Sequence, residues 1–148
     1  RHPRMLRAYQ LIAQHTFSSD NRLSRRESEI VIMRTVWLAK SGYQWSRHIS
    51  IGTRAGLSLA EIAALKAPLN RSEWNNGEGA LIAAVDDLMA DHHISEGAWK
   101  ELSAHFDTQQ CIDAVMLSGR YAMTAMFLNT AGTPLDPDVE LDPDLDRR

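Results

Sequence analysis

Proton transfer near neutral pH suits an imidazole whose tautomer is fixed by a carboxylate, with one ring nitrogen held and the other left to take or give a proton. In this chain Glu29 and His48 are the residues that could form such a pair, provided the acid on one helix faces the histidine on the next. Ser41, Gln44, Trp45, His48 and Gly52 recur at helical spacing, which places them along one face. An imidazole there has an amide and an indole beside it. The same spacing also allows a plainer arrangement, in which a buried acid and a histidine satisfy each other or an arginine.

Other residues invite chemistry, and each has a simpler account. Cys111 is the single cysteine; it stands at a helix start between Gln110 and Ile112, where an inert, buried or half-buried thiol explains it best. Asp91, His92 and His93 suggest a metal. Adjacent histidines on a helix diverge by about 100°, however, and no second ligand pair accompanies them, so a solvated helix end is expected and no metal is assigned. Arg47 and Arg54 could draw an anionic substrate toward His48, although surface charge on a helix is the simpler explanation.

Two consecutive helices have to position the pair. Ser24 with Glu27 is a capping box, so the first helix begins near Arg25. Beyond Glu29 only Arg34, Thr35 and Lys40 interrupt an apolar run, which predicts a central helix buried on most of its circumference. Ser41-Gly42 stops it, Lys40 suits the negative end of its dipole, and the second helix runs from about Tyr43 to Gly56. Around these, a helix is predicted from Pro3 to about His15 and a short one from Leu59 to about Lys66, opened by the Ser58/Glu61 box and ended before Pro68. Residues 67–79 read as a loop whose Trp74 serves as a lid or packing plug. Further helices are predicted over 79–92, from Ser95 to about Phe106 with Trp99 and Leu102 inward, and from the Asp107/Gln110 cap to about Asn129. With no sustained two-residue alternation, the fold class is all-α.

Composition sets the frame: 148 residues, 44% hydrophobic, 24% charged and a net charge of -3 describe one ordinary globular domain over residues 1–133. Residues 134–148 form an acidic tail with prolines, expected as an extended arm or disordered. No basic excess suggests nucleic acid, and no apolar run approaches the ~20 residues of a membrane span. One cysteine suits a reducing compartment such as the cytoplasm. No signal peptide is visible, and a chain that starts Arg1-His2-Pro3 leaves room for a missing N-terminus. The last helix carries more apolar surface than a monomer this size covers, which predicts self-association.

Residues 24–56 resemble the carboxymuconolactone decarboxylase and alkylhydroperoxidase D-like family. The matching pattern is Leu23-Ser24, Arg26-Glu27, Glu29-Ile30-Val31-Ile32, then Tyr43-Gln44-Trp45 and His48, then Ala55-Gly56-Leu57-Ser58 with Glu61-Ile62, and it continues through Trp74, AVDDLMADHHIS and the last helix. The resemblance implies a bundle of six to eight helices that assembles as a trimer or a dimer of trimers. Peroxidase-type members carry a Cys-x-x-Cys, and at those positions this chain has Ser41 and Gln44, between the matching Glu29 and His48. A hydroxyl and an amide cannot cycle through sulfenic acid or disulfide. Decarboxylase-type members, which keep the glutamate and histidine, are matched better. The implied function is cofactor-independent proton transfer on a small carboxylated or carbonyl metabolite. His48 would be the acid/base and Glu29 its orienting partner, with Gln44, Ser41, Trp45 and Arg47 around the substrate. The alternatives are a peroxidase-family antioxidant protein that has lost its redox cysteines, or a non-catalytic oligomeric binding protein.

Overall fold

Side-chain capping sets where most of the helices begin. In a computed structural model that describes residues 2–137 and 139–145, with Phe17 by its backbone alone, Pro3 opens α1 (Pro3–Phe17), and the His2 ring accepts the Met5 N–H. Reciprocal capping boxes start α2 (Arg25–Leu38, Ser24/Glu27), α4 (Leu59–Ala64, Ser58/Glu61), α5 (Asn76–Asp91, Asn75/Glu78) and α7 (Thr108–Ala131, Asp107/Gln110). Ser95 caps α6 (Glu96–His105), and α3 spans Gly42–Arg54. These are the seven α-helices among the described residues, and no strand occurs there. α5 starts three residues earlier than the sequence suggested. Asn75 and Glu78 close a box across Gly77, in a stretch whose glycine and asparagines resemble a loop.

The turn between α2 and α3 differs from expectation in one instructive way. The left-handed residue is Lys40, at φ 53°, and not Gly42. Ser41 N–H reaches Val36 O at 2.9 Å and Lys40 N–H reaches Trp37 O at 2.9 Å, the double bond pattern that seals a helix end. Gly42 instead becomes the first residue of α3, and its missing side chain has another cause: a Cβ there would overlap Leu141 of the tail.

α2 is the central helix, with Ile30, Val31, Ile32, Met33 and Val36 fully buried against α3, α5 and α7. Arg34 is buried with them. Its guanidinium forks onto Asp86 at 2.5 and 3.0 Å and also donates to the carbonyls of Leu65 and Ala67 at 2.7 Å, tying α2 to α5 and to the end of α4. Trp74 packs into the core as a plug. Trp99 departs from expectation at 44% exposed, because Leu102 and Phe106 make the α6 stripe that reaches the core and one turn earlier the helix lies outside it.

The tail, expected as an extended arm or a disordered segment, lies against the helices in its described part. Its described part folds back onto α3 and the end of α4: Asp142 accepts from the Trp45 indole at 3.1 Å, Lys66 bridges Asp142 at 2.8 Å and Asp144 at 2.9 Å, and Ser46 donates to Glu140 O at 3.0 Å. Arg47 pairs with Asp136, while Leu141 and Leu145 close over Gly42. Asp138 and residues 146–148, also part of that expectation, lie outside the described residues. Composition reveals many aspartates but not that Lys66 and Arg47 wait for them.

The charges predict how docking depends on pH. Burial pushes the Asp142 carboxyl up, but the hydrogen bonds from Lys66, the Asp144 backbone and Trp45 outweigh it, so the group sits below its ordinary value. Burial likewise pushes Lys66 down, and Asp142 with Asp144 more than reverses this. Asp142 therefore stabilises docking above the ordinary carboxylate range, near pH ~4, and loses that contribution as pH falls through its depressed value. Lys66 stabilises docking below the ordinary ammonium range and loses this only as pH rises through its raised value. Acidification is expected to free the tail, as is Leu141→Asp at neutral pH. Faster limited proteolysis within 134–145 and a shift in tryptophan emission report it; a cleavage rate unchanged by Leu141→Asp would show that docking does not protect this segment.

Candidate functional site

The turn at 39–41 folds α3 back along α2, and Trp37 and Trp45 pack across the joint with ring centroids 5.0 Å apart. That register brings Glu29 of α2 opposite His48 of α3. Glu29 Oε2 lies 2.7 Å from His48 Nδ1, and both residues are buried, at 5% and 7% exposed. A carboxylate at this distance accepts from Nδ1–H and leaves Nε2 as the nitrogen that can take or give a proton. Nε2 makes no hydrogen bond among the described residues.

α7 supplies the wall behind the pair. The Tyr121 ring meets the His48 imidazole edge-on, with centroids 5.2 Å apart and planes at 86°. Burial pushes the Tyr121 hydroxyl up to about 12, with the Glu29 charge acting in the same direction and Arg120 against it. It stays a neutral phenol at neutral pH. The Arg120 guanidinium lies 4.5 Å over the Tyr121 ring and donates to Thr16 Oγ1 of α1 at 2.7 Å. Sequence reasoning missed Tyr121, Arg120 and Thr16, since α7 reads as an apolar helix. The available signal was an arginine set inside that apolar run, which has to find partners.

The six residues expected at the site do not all converge. Gln44 lies one turn before His48 on the same face of α3 and Ser41 one turn further. Gln44 Oε1 and Ser41 Oγ are buried with no hydrogen-bond partner among the described residues. Trp45 is buried too, but its indole N–H is committed to Asp142 of the tail. Arg47 points elsewhere: half-exposed, it pairs with Asp136 and, with Arg54, lines a separate cleft alongside Val139 and Glu140.

A cleft of about 450 Å³ opens beside Glu29, between the 18–24 connection and the first two turns of α2. Thr16, Asn21, Arg25, Ser28, Glu29 and Ile32 line it, and His48 does not. Cys111 lies far from this geometry in the core, with Sγ 3.7 Å from Phe106 O, and burial together with the Asp107 charge pushes its thiol up. His92 and His93 are exposed, and His92 takes the left-handed position that ends α5. Among the described residues no group of three His, Cys, Asp or Glu side chains could hold a metal ion, and no helix is long and apolar enough to cross a membrane.

Residues 3–86 match the profile of the family described as the Carboxymuconolactone decarboxylase family. Among solved structures, a protein of unknown function from Agrobacterium tumefaciens, suggested to be an antioxidant defence protein AhpD, superposes with a TM-score of 0.84 at 17% identity over 92% of this chain and 93% of its own. An uncharacterized peroxidase-related protein from Silicibacter sp. TM1040 superposes with a TM-score of 0.72 at 15% identity, over 97% of this chain and 73% of its own. At such identities the likeness establishes the AhpD-like helical fold. No curated protein matches the chain.

Proposed function

Because the chain belongs to the carboxymuconolactone decarboxylase family, we propose that it performs cofactor-independent proton transfer of the decarboxylation type on a small carboxylated or carbonyl-containing metabolite. The observation that carries this reading is the buried 2.7 Å contact between Glu29 and His48. As carbon dioxide leaves a substrate, the carbanion left behind must be protonated, and an imidazolium oriented by a carboxylate can give it the Nε2 proton and become the neutral ring. Gln44 and Ser41 support the same reading. A buried oxygen without a partner costs roughly 1–3 kcal/mol, and a substrate group that donates to Gln44 Oε1 or Ser41 Oγ would remove that penalty. Screening a metabolite panel by thermal shift and assaying the hits for turnover tests the proposal, and hits that bind without turnover count against it.

A second reading, a non-catalytic binding protein, draws on one observation: four open clefts of the described residues are lined without His48. An antioxidant role, suggested for the Agrobacterium protein, meets a chemical obstacle here. The positions of the redox cysteines hold Ser41 and Gln44, and the one thiol is buried with its ionisation suppressed. Reductant-coupled hydroperoxide turnover is therefore expected to be absent, and equally absent in Cys111→Ser; turnover that disappears on this substitution would restore the peroxidase reading.

Self-association belongs to the same proposal. Ile112, Met116, Met123, Met126 and Phe127 lie exposed along α7. α1 adds Met5, Leu6, Leu11 and Ile12 on its outer side, because its contacts with α7 are polar: Tyr9 to Thr124 at 3.0 Å and His15 to Asp113 at 2.7 Å. Apolar surface of this extent marks an interface. A trimer or a dimer of trimers is expected by light scattering, and a stable monomer at micromolar concentration is the contrary result.

A further inference from the structure

Three clefts among the described residues carry an arginine and differ in charge. Arg22 shares its cleft with the carboxylates of Asp20 and Asp113. Arg47 and Arg54 share theirs with Glu140, and Arg47 is already paired with Asp136. In the cleft beside Glu29, Arg25 is the cation and Glu29 the one carboxylate. Arg25, Ser28, Glu29 and Ile32 form one stripe of α2, so Arg25 stands a single turn from Glu29. The two do not pair: the Glu29 carboxylate is turned to His48, and Arg25 makes no hydrogen bond or ion pair among the described residues. Its neighbour Arg26, by contrast, is engaged by Glu61 and Glu78.

Polarity also varies along the cleft. Leu23 and Ile32 are its apolar lining, with only edges uncovered at 6% and 1% exposed, whereas the Thr16 and Ser28 hydroxyls already accept hydrogen bonds, from Arg120 at 2.7 Å and from Asn21 at 3.3 Å. That leaves the exposed guanidinium of Arg25 as the group equipped to hold a charged end, since its planar fork matches a carboxylate.

We propose that the ligand of the Glu29–His48 pair is a small organic acid that enters by this cleft, its carboxylate held by Arg25 and its apolar body toward Leu23 and Ile32, so that Glu29 is the member of the pair it meets first. The proposal rests on the proton-transfer reading above and adds an entrance and a specificity residue. Electrostatics require something like Arg25 there. The Glu29 carboxylate lining the cleft repels an incoming anion, and a cation one turn away offsets that repulsion.

Benzoate, with its neutral counterpart benzamide, is a probe of suitable size, and calorimetry on the intact chain reads binding independently of turnover. Benzoate is expected to bind in the millimolar range or tighter. Arg25→Gln should weaken it by roughly tenfold or more, the loss of one charge-assisted contact, and Arg25→Lys should recover part of the loss. Arg54→Gln should change nothing, and benzamide should be indifferent to Arg25→Gln. No benzoate binding, or equal effects of Arg25→Gln and Arg54→Gln, overturns the proposal. Benzoate binding untouched by Arg25→Gln, alongside turnover that His48→Ala abolishes, places the entrance elsewhere and leaves the acid/base reading intact. Binding that follows Arg25 while His48→Ala turns over normally sinks the acid/base reading alone.

Discussion

His48→Ala is expected to lower turnover of an identified substrate by roughly 10²- to 10⁴-fold, the usual contribution of a positioned acid/base, while the helical fold persists. Glu29→Gln should cost a comparable factor, because it keeps the shape of the acid but removes the charge that stabilises a protonated ring. The two losses should not add. If the residues act as one unit, the double variant is about as slow as either single variant. Both side chains are buried, so circular dichroism and light scattering must accompany the kinetics. Full turnover in a folded His48→Ala would move the chemistry away from this pair, and a Glu29→Gln variant that is less stable but keeps full specific activity while folded would make the acid structural.

Arg34→Met should produce the largest loss of stability among the changes considered, without touching the Glu29–His48 pair. The guanidinium satisfies Asp86 and two main-chain carbonyls in the core between α2, α5 and the end of α4. Removing one member of a buried ionic cluster leaves the others without their counter-charge, a loss of about 3 kcal/mol. For a chain of this length that corresponds to a Tm lower by about 6 to 12 °C. Asp86→Asn should cost less, since Asp86 is partly exposed and its place can be taken up by water. Urea unfolding of both variants checks the ordering, and a Tm for Arg34→Met within about 2 °C of the parent would show that the cluster contributes little net stability.

How far the sequence reached depended on the range of the interactions involved. Helix starts were legible because a cap is closed within four residues: Ser24, Ser58, Ser95 and Asp107 each announce their helix through their own neighbours. The near-continuous apolar run of α2 made it central, and helical spacing put Gln44, His48 and Gly52 on the buried side of α3. A three-residue turn after so buried a helix leaves α3 little choice but to double back, so the approach of residue 48 to residue 29 was within reach of local reasoning.

Side chains whose partners lie far along the chain were not. Arg34 looked like a polar interruption until α5 brought Asp86 to it. Tyr121 and Arg120 of α7 became part of the wall behind His48 only when α7 packed across α2. Gly42 leaves room for Leu141 only because the tail returns to lie on α3. The exposure of Arg25 beside Glu29, and the diversion of Arg47 to Asp136, likewise depend on which surfaces the remaining helices and the tail leave uncovered. Caps and helical periodicity act over one or two turns and are written in consecutive residues. A buried charge, a cleft or a docked tail is defined by the difference between what packing covers and what it leaves open, and that difference exists only once segments dozens of residues apart have met.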